Sequence, residues 1–229
     1  MVHRSIVLYI FLFMAALLLD YRCAAWAEDD FQYWSRYEIS KEFGPYFEAF
    51  YNPEFRLRED ASDFFYHEHR QGLRWKPSKY LTVGAHYLFA RNQGTRGQPK
   101  WEHSGELDVT PKISLGRFNF SVRGRAELRQ VQGSSGEEEW RFRIQPGIVY
   151  QAKVFGYQFK PYISSDLFYD VERDAWNQNR AYLGASFPLH QLKSVRTSID
   201  FFYMLQSQRS VRDDWSSNHI FGTKFTVQL

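Results

Sequence analysis

Cysteine is almost missing from this chain: Cys23 is the only one among 229 residues. That rules out a disulfide framework and any metal cluster built from several thiolates. There is no G-x-S-x-G elbow and no phosphate-binding glycine loop, so the local signatures of serine hydrolases and nucleotide binders are absent too. An excess of charge of one sign is also lacking. The chain has 29 basic and 26 acidic residues, and removing residues 1–27, with Arg4, Arg22 and Asp20, leaves 27 and 25, a net charge of +2. A nucleic-acid partner is therefore not expected, since it would call for a strong, localised basic excess. The one notable apolar run, residues 5–19, is shorter than the roughly 20 residues a membrane-crossing helix needs.

That run is better explained by export. A short polar start with Arg4 precedes it, and Ala25-Trp26-Ala27 supplies small residues in an A-x-A arrangement before Glu28. This is the layout of a secretory signal peptide, with cleavage expected after Ala27. A lipid-modified Cys23 is disfavoured, because Asp20, Tyr21 and Arg22 stand where lipoprotein signals carry small residues. The mature chain is then exported without cysteine. A closed hydrogen-bonded sheet would stabilise it without disulfides.

What the sequence does have is alternation. In residues 117–129, Phe118, Phe120, Val122, Gly124, Ala126 and Leu128 share one parity, while Ser121, Arg123, Arg125, Glu127 and Arg129 share the other. After a polar loop, Trp140, Phe142, Ile144, Ile148 and Tyr150 alternate with Arg141, Arg143, Gln145 and Gly147. Period two marks β-strands with one apolar and one charged face. The pattern recurs in segment after segment without a second layer to cover the apolar side.

From residue 46 to the end, ten such strands can be counted. Connections after Trp75, Val109, Tyr150 and Phe187 are short; those after Phe89, Leu128, Val171 and Leu205 are longer and polar. Short turns on one side and long loops on the other are characteristic of outer-membrane barrels. The aromatic share of 19% fits interfacial girdles. The fold expected is all-β: a transmembrane antiparallel up-and-down β-barrel of about ten strands, twelve being the alternative, with both ends on the short-turn side. Residues 28–45 alternate only loosely, and their place is either at the rim or as a first strand; residues 46–229 form the barrel.

With apolar side chains turned to lipid, the charged parity lines the lumen. The set comprises Glu54, Arg56, Arg58, Glu68, Arg70, Arg74, Glu102, Glu106, Asp108, Arg123, Arg125, Glu127, Arg129, Arg141, Arg143, Asp166, Arg180 and Asp200. In so narrow a barrel these side chains either bridge and plug the lumen or line a porin-like, anion-preferring path, with Arg125 and Arg143 its chosen probes. His86 faces inward by parity. His67 and His69 face outward and read as an interfacial pair; no metal site, cofactor or catalytic set is expected. Two alternatives are a barrel-embedded lipid-modifying enzyme and a soluble periplasmic lipocalin-like binding protein with inverted parity.

The order of segments carries a resemblance. WSRYEIS, PEFRLR, RGRAELR with RFRIQP, KPYISSDLFYD, NRAYLGASF, and the closing DFFYMLQSQ and HIFGTKFTVQL together resemble an uncharacterised bacterial family of predicted outer-membrane β-barrels, known only as a domain of unknown function. The resemblance implies a Gram-negative outer-membrane location, with membrane lipid and the barrel assembly machinery as partners; small anionic solutes are the partners that an arginine-lined path would take. It implies no activity. Such barrels usually end in an aromatic residue, whereas this chain ends in Leu229.

Overall fold

The computed structural model describes residues 30–94, 98–132, 138–154, 156–191, 195–209 and 214–229. The expected signal peptide and its cleavage site lie outside these described residues. Every regular element among them is a strand: β1 (Asp30–Phe43), β2 (Phe47–Arg58), β3 (Asp63–Ser78), β4 (Leu81–Gln93), β5 (Pro99–Leu115), β6 (Phe118–Val131), β7 (Glu139–Tyr150), β8 (Ala152–Val154), β9 (Tyr157–Asp170), β10 (Ala175–Gln191), β11 (Arg196–Arg209) and β12 (Trp215–Gln228).

Eleven of these close into a barrel, with β7 pairing directly with β9 and β12 with β1. The three-residue β8 lies outside the ring and pairs only with the start of β9. The ten strands expected from residue 46 onward are all present. The eleventh, β1, is a full strand, which corrects the view of residues 31–43 as loosely patterned. Phe31, Tyr33, Tyr37, Ile39 and Phe43 share one parity there, while Trp34 and Ser40 are buried on the other.

An odd count has a geometric consequence. Every neighbouring pair is antiparallel except β1 and β12, which run parallel from Asp30↔Asn218 to Ser40↔Gln228. The two ends of the barrel chain therefore lie at opposite rims, not at the same rim as a ten-stranded count would place them. Asp30 enters at the rim of the long connections and Gln228 leaves at the rim of the short ones.

Proline positions explain where the ladders open. Pro53, Pro111 and Pro146 lack an N–H and sit inside strands. Pairing is interrupted beside each of them, between β1 and β2, β5 and β6, and β7 and β9. The short connection expected after Val109 lies further on, because Pro111 does not end its strand. β5 continues to Leu115, and the turn falls at Gly116, whose φ of +60° suits glycine.

Candidate functional site: the charged interior

Two-residue periodicity sends one face of each strand inward. Trp75, Leu107, Val109, Trp140, Phe142, Ile144, Phe201 and Phe221 are exposed on the outer wall. The inner wall carries Glu54, Glu68, Glu106, Asp108, Arg125, Glu127, Arg143 and Asp166, all buried. A buried charge is expensive unless it is paired and hydrogen-bonded. Here the pairs link into a chain that runs round the lumen.

The chain of pairs begins at β1. Arg36 bonds Glu54, which also takes Arg56 Nε at 2.5 Å. Arg56 reaches Glu68 at 3.4 Å, Glu68 holds Arg70 at 3.1 Å, and Arg70 Nε meets Glu106 at 2.9 Å. Arg125 then bridges Glu106 at 2.8 Å and Asp108 at 2.9 Å. Glu127, fully buried, accepts from Arg141 Nε at 2.5 Å and Arg143 Nη1 at 2.8 Å. Arg143 finally forks onto Asp166, with Nε at 3.3 Å and Nη2 on the other oxygen. These contacts carry the chain from β1 to β9.

The sector beneath β10 to β12 is filled differently. Trp34, Tyr182, Phe202, Met204 and Ile220 pack there as an apolar cluster, with Tyr162 against it. Gly184 and Gly222 make room for it. A Cβ on Gly222 would come within 2.1 Å of the Phe202 ring, and one on Gly184 within 2.5 Å of Tyr162. The guanidinium of Arg56 lies 3.7 Å from the Trp34 ring centre, and that of Arg180 lies 5.0 Å from it and 4.8 Å from Phe168. Arginine thus joins the ionic part of the interior to the aromatic part.

Other members of the predicted set sit near the rims. At the long-connection end, Arg58 Nε bonds Asp63 at 2.8 Å and Arg129 forks onto Glu102 at 2.8 and 3.0 Å. At the short-turn end, Arg74 bonds Glu38 at 3.0 Å and also Glu48, while Lys224 Nζ reaches Glu38 at 3.0 Å. Asp200 is inward as expected, yet its Oδ1 is buried without a hydrogen-bond partner among the described residues. Its cross-strand neighbour Lys224 turns to Glu38 instead.

Arg36, Glu38, Glu48 and Lys224 were not among the predicted residues. The first two follow from treating β1 as irregular, although Trp34, Arg36, Glu38 and Ser40 keep one parity throughout. His86 is buried 3.5 Å from Glu106 and 3.6 Å from Asp108, with Phe50 edge-on at 4.9 Å. The outward histidines are engaged by tyrosine hydroxyls: Tyr51 with His69 at 2.6 Å, Tyr87 with His103 at 2.6 Å, and Tyr203 with His219 at 2.5 Å. His67 Nδ1 lies 3.3 Å from His69 Nε2 on the same wall. No group of three or more potential ligands among the described residues is arranged to hold a metal ion.

Between the paired side chains lies a cavity of about 480 Å³. Its lining includes eleven arginines and lysines against seven aspartates and glutamates. Residues 31–217 match the model of the family described as "Protein of unknown function (DUF2490)". No curated relative matches the chain.

Proposed function

Because the chain belongs to that family of unknown function, whose description assigns no activity, we propose a function from the barrel itself. The protein is an outer-membrane β-barrel whose lumen is braced by ion pairs into an anion-preferring chamber, not a wide diffusion pore. The observation that carries this reading is the polarity of the wall: bulky apolar side chains outside, a nearly continuous chain of ion pairs inside.

Girdles support the membrane setting. Trp101, Trp140, Trp176 and Trp215 stand within the first three residues of β5, β7, β10 and β12, the strands that return from long connections. Phe43, Phe47, Trp75, Phe118 and Phe187 are exposed near the short turns. Aromatic belts at both interfaces flank the apolar band of membrane barrels. The shortest barrel strands have 12 residues, and about 9 to 11 suffice to cross a bilayer when tilted. Long connections then face the exterior and short turns the periplasm, with membrane lipid around the wall and the assembly machinery inserting it.

The lipocalin-like alternative requires an apolar interior, the reverse of this arrangement. On the outer wall His69, His103 and His219 share hydrogen bonds with tyrosine hydroxyls, contacts that do not by themselves favour the lipid-modifying alternative. A narrow anion-preferring pore is the second reading, favoured by the basic excess of the lining. Two measurements on the refolded protein test these statements. Heat-modifiable gel mobility that requires detergent is expected, and solubility without detergent would overturn the membrane reading. In planar bilayers, near silence is expected of a braced chamber, whereas steady anion-selective steps would establish the pore.

A further inference from the structure

Most interior arginines hold a carboxylate within hydrogen-bond distance, but Arg123 and Arg180 do not, although the Nε of Arg125 is also without a partner among the described residues. Arg125 touches Glu106 and Asp108 at 2.9 Å or less, and Arg143 holds both Glu127 and Asp166. Arg123 and Arg180 converge on that same Asp166 without capturing it. Arg123 Nη2 stands 3.6 Å from Asp166 Oδ2, beyond hydrogen-bond reach, and its Nε is buried without a partner among the described residues. Arg180 is the register partner of Asp166 across β9 and β10. Its ion-pair contacts among the described residues include no carboxylate. With the Gln178 amide oriented to present its oxygen, Arg180 donates to it from Nε at 3.1 Å and Nη2 at 3.3 Å.

Three guanidinium groups thus share one carboxylate that Arg143 already occupies. Arg123 and Arg180 both line the cavity, together with Gln145, the register partner of Arg123. Both are half-buried and so can be reached from the cavity, and planar guanidinium donors match oxyanions bidentately.

We propose that Arg123 and Arg180 form a binding site for a small soluble dianion of the phosphate class inside the chamber, with the Gln145 amide as an added donor. This deepens the anion preference proposed above by naming the groups that confer it. Arg125 and Arg143, which sequence parity singles out as probes, brace the wall instead. The charge demand favours a dianion over chloride, because Arg123 and Arg180 have between them only the outer reach of Asp166, a carboxylate that Arg143 already holds. The position inside a hydrogen-bonded wall favours a solute over a lipid headgroup.

The test is isothermal titration of the detergent-folded full chain with inorganic phosphate, at constant ionic strength maintained with chloride. Saturable 1:1 binding is expected for the unaltered protein. Arg123→Gln and Arg180→Gln should each weaken it at least about ten-fold, the loss of one charge-assisted contact, and the double variant should abolish it. Arg180→Lys, which keeps the charge, should fall between, and Arg58→Gln at the rim should bind as before. Absence of saturable heat in folded, heat-modifiable protein overturns the site and leaves the barrel reading intact. Undiminished binding by the double variant likewise overturns it. A protein that folds without detergent overturns the membrane setting alone, since the same titration still decides the site.

Discussion

Glu127 is the carboxylate on which the ionic chain depends most, and its removal gives the sharpest test of the interior. Its side chain is fully buried and bonds Arg141 Nε at 2.5 Å and Arg143 Nη1 at 2.8 Å, with Arg125 Nη1 at 4.0 Å. In Glu127→Gln the three guanidiniums are affected unequally. Arg125 keeps Glu106 and Asp108, and Arg143 keeps Asp166. The ion pair of Arg141 is with Glu127, and its guanidinium otherwise lies 5.3 Å from the Phe168 ring centre. The change therefore strands one cation, and two unit charges at 4 Å in an effective dielectric of about 20 interact by about 4 kcal/mol. Breaking a buried pair by removing one partner costs about 3 to 5 kcal/mol. A loss of about 3 kcal/mol is expected, since Arg141 retains some solvent contact. The assay is denaturant unfolding in detergent micelles, followed by the heat-shifted band and by tryptophan fluorescence. Glu127→Gln/Arg141→Gln removes the stranded cation as well and should recover more than about 1 kcal/mol of the loss. A single variant within about 1 kcal/mol of the unaltered protein, or a strictly additive double variant, would refute the account of a linked ionic interior.

Three further outcomes follow from the geometry. Gly222→Ala should lose about 1 to 3 kcal/mol in the same unfolding assay through collision with Phe202, and Phe202→Ala in the same chain should relieve the collision; an unchanged midpoint would deny the close packing. Tyr37 and Phe225 are register partners across the parallel β1–β12 pair on the outer wall, so cysteines placed at both positions should crosslink on mild oxidation. Cysteines at Tyr37 and Phe221 should not, and the reverse outcome would overturn the eleven-stranded closure. Brominated lipids should quench a variant that keeps only Trp140, Trp176 and Trp215 most strongly when the bromines sit near the headgroups; quenching strongest at the bilayer centre would contradict the girdle.

The barrel was largely visible in the sequence because alternation, turn residues and connection lengths are local properties, each written in a dozen residues or fewer. The N-terminal strand shows the limit of that approach. Its inward positions carry Trp34, Arg36, Glu38 and Ser40, a mixture that dilutes a simple apolar-against-charged contrast, and a preference for even strand numbers argued against it. Only pairing with β12, some 190 residues away, reveals it as the strand that closes the ring. The interior follows the same logic at finer scale. Parity placed the arginines inside, but it could not show which of them holds a carboxylate within hydrogen-bond distance, because that depends on register across several strands. Arg125 sits opposite Arg143 in the β6–β7 pairing, and Arg180 sits opposite Asp166 in the β9–β10 pairing. Those neighbours alone would mark the first pair as repelled and Arg180 as neutralised. The actual contacts invert this, since Glu106, Asp108 and Glu127 reach in from β5 and β6 to satisfy Arg125 and Arg143, while Arg143 takes the carboxylate that faces Arg180. The distinction between arginines that hold a carboxylate within hydrogen-bond distance and those that do not is therefore a property of the closed barrel, and a substitution series confined to Arg125 and Arg143 would probe the first group alone.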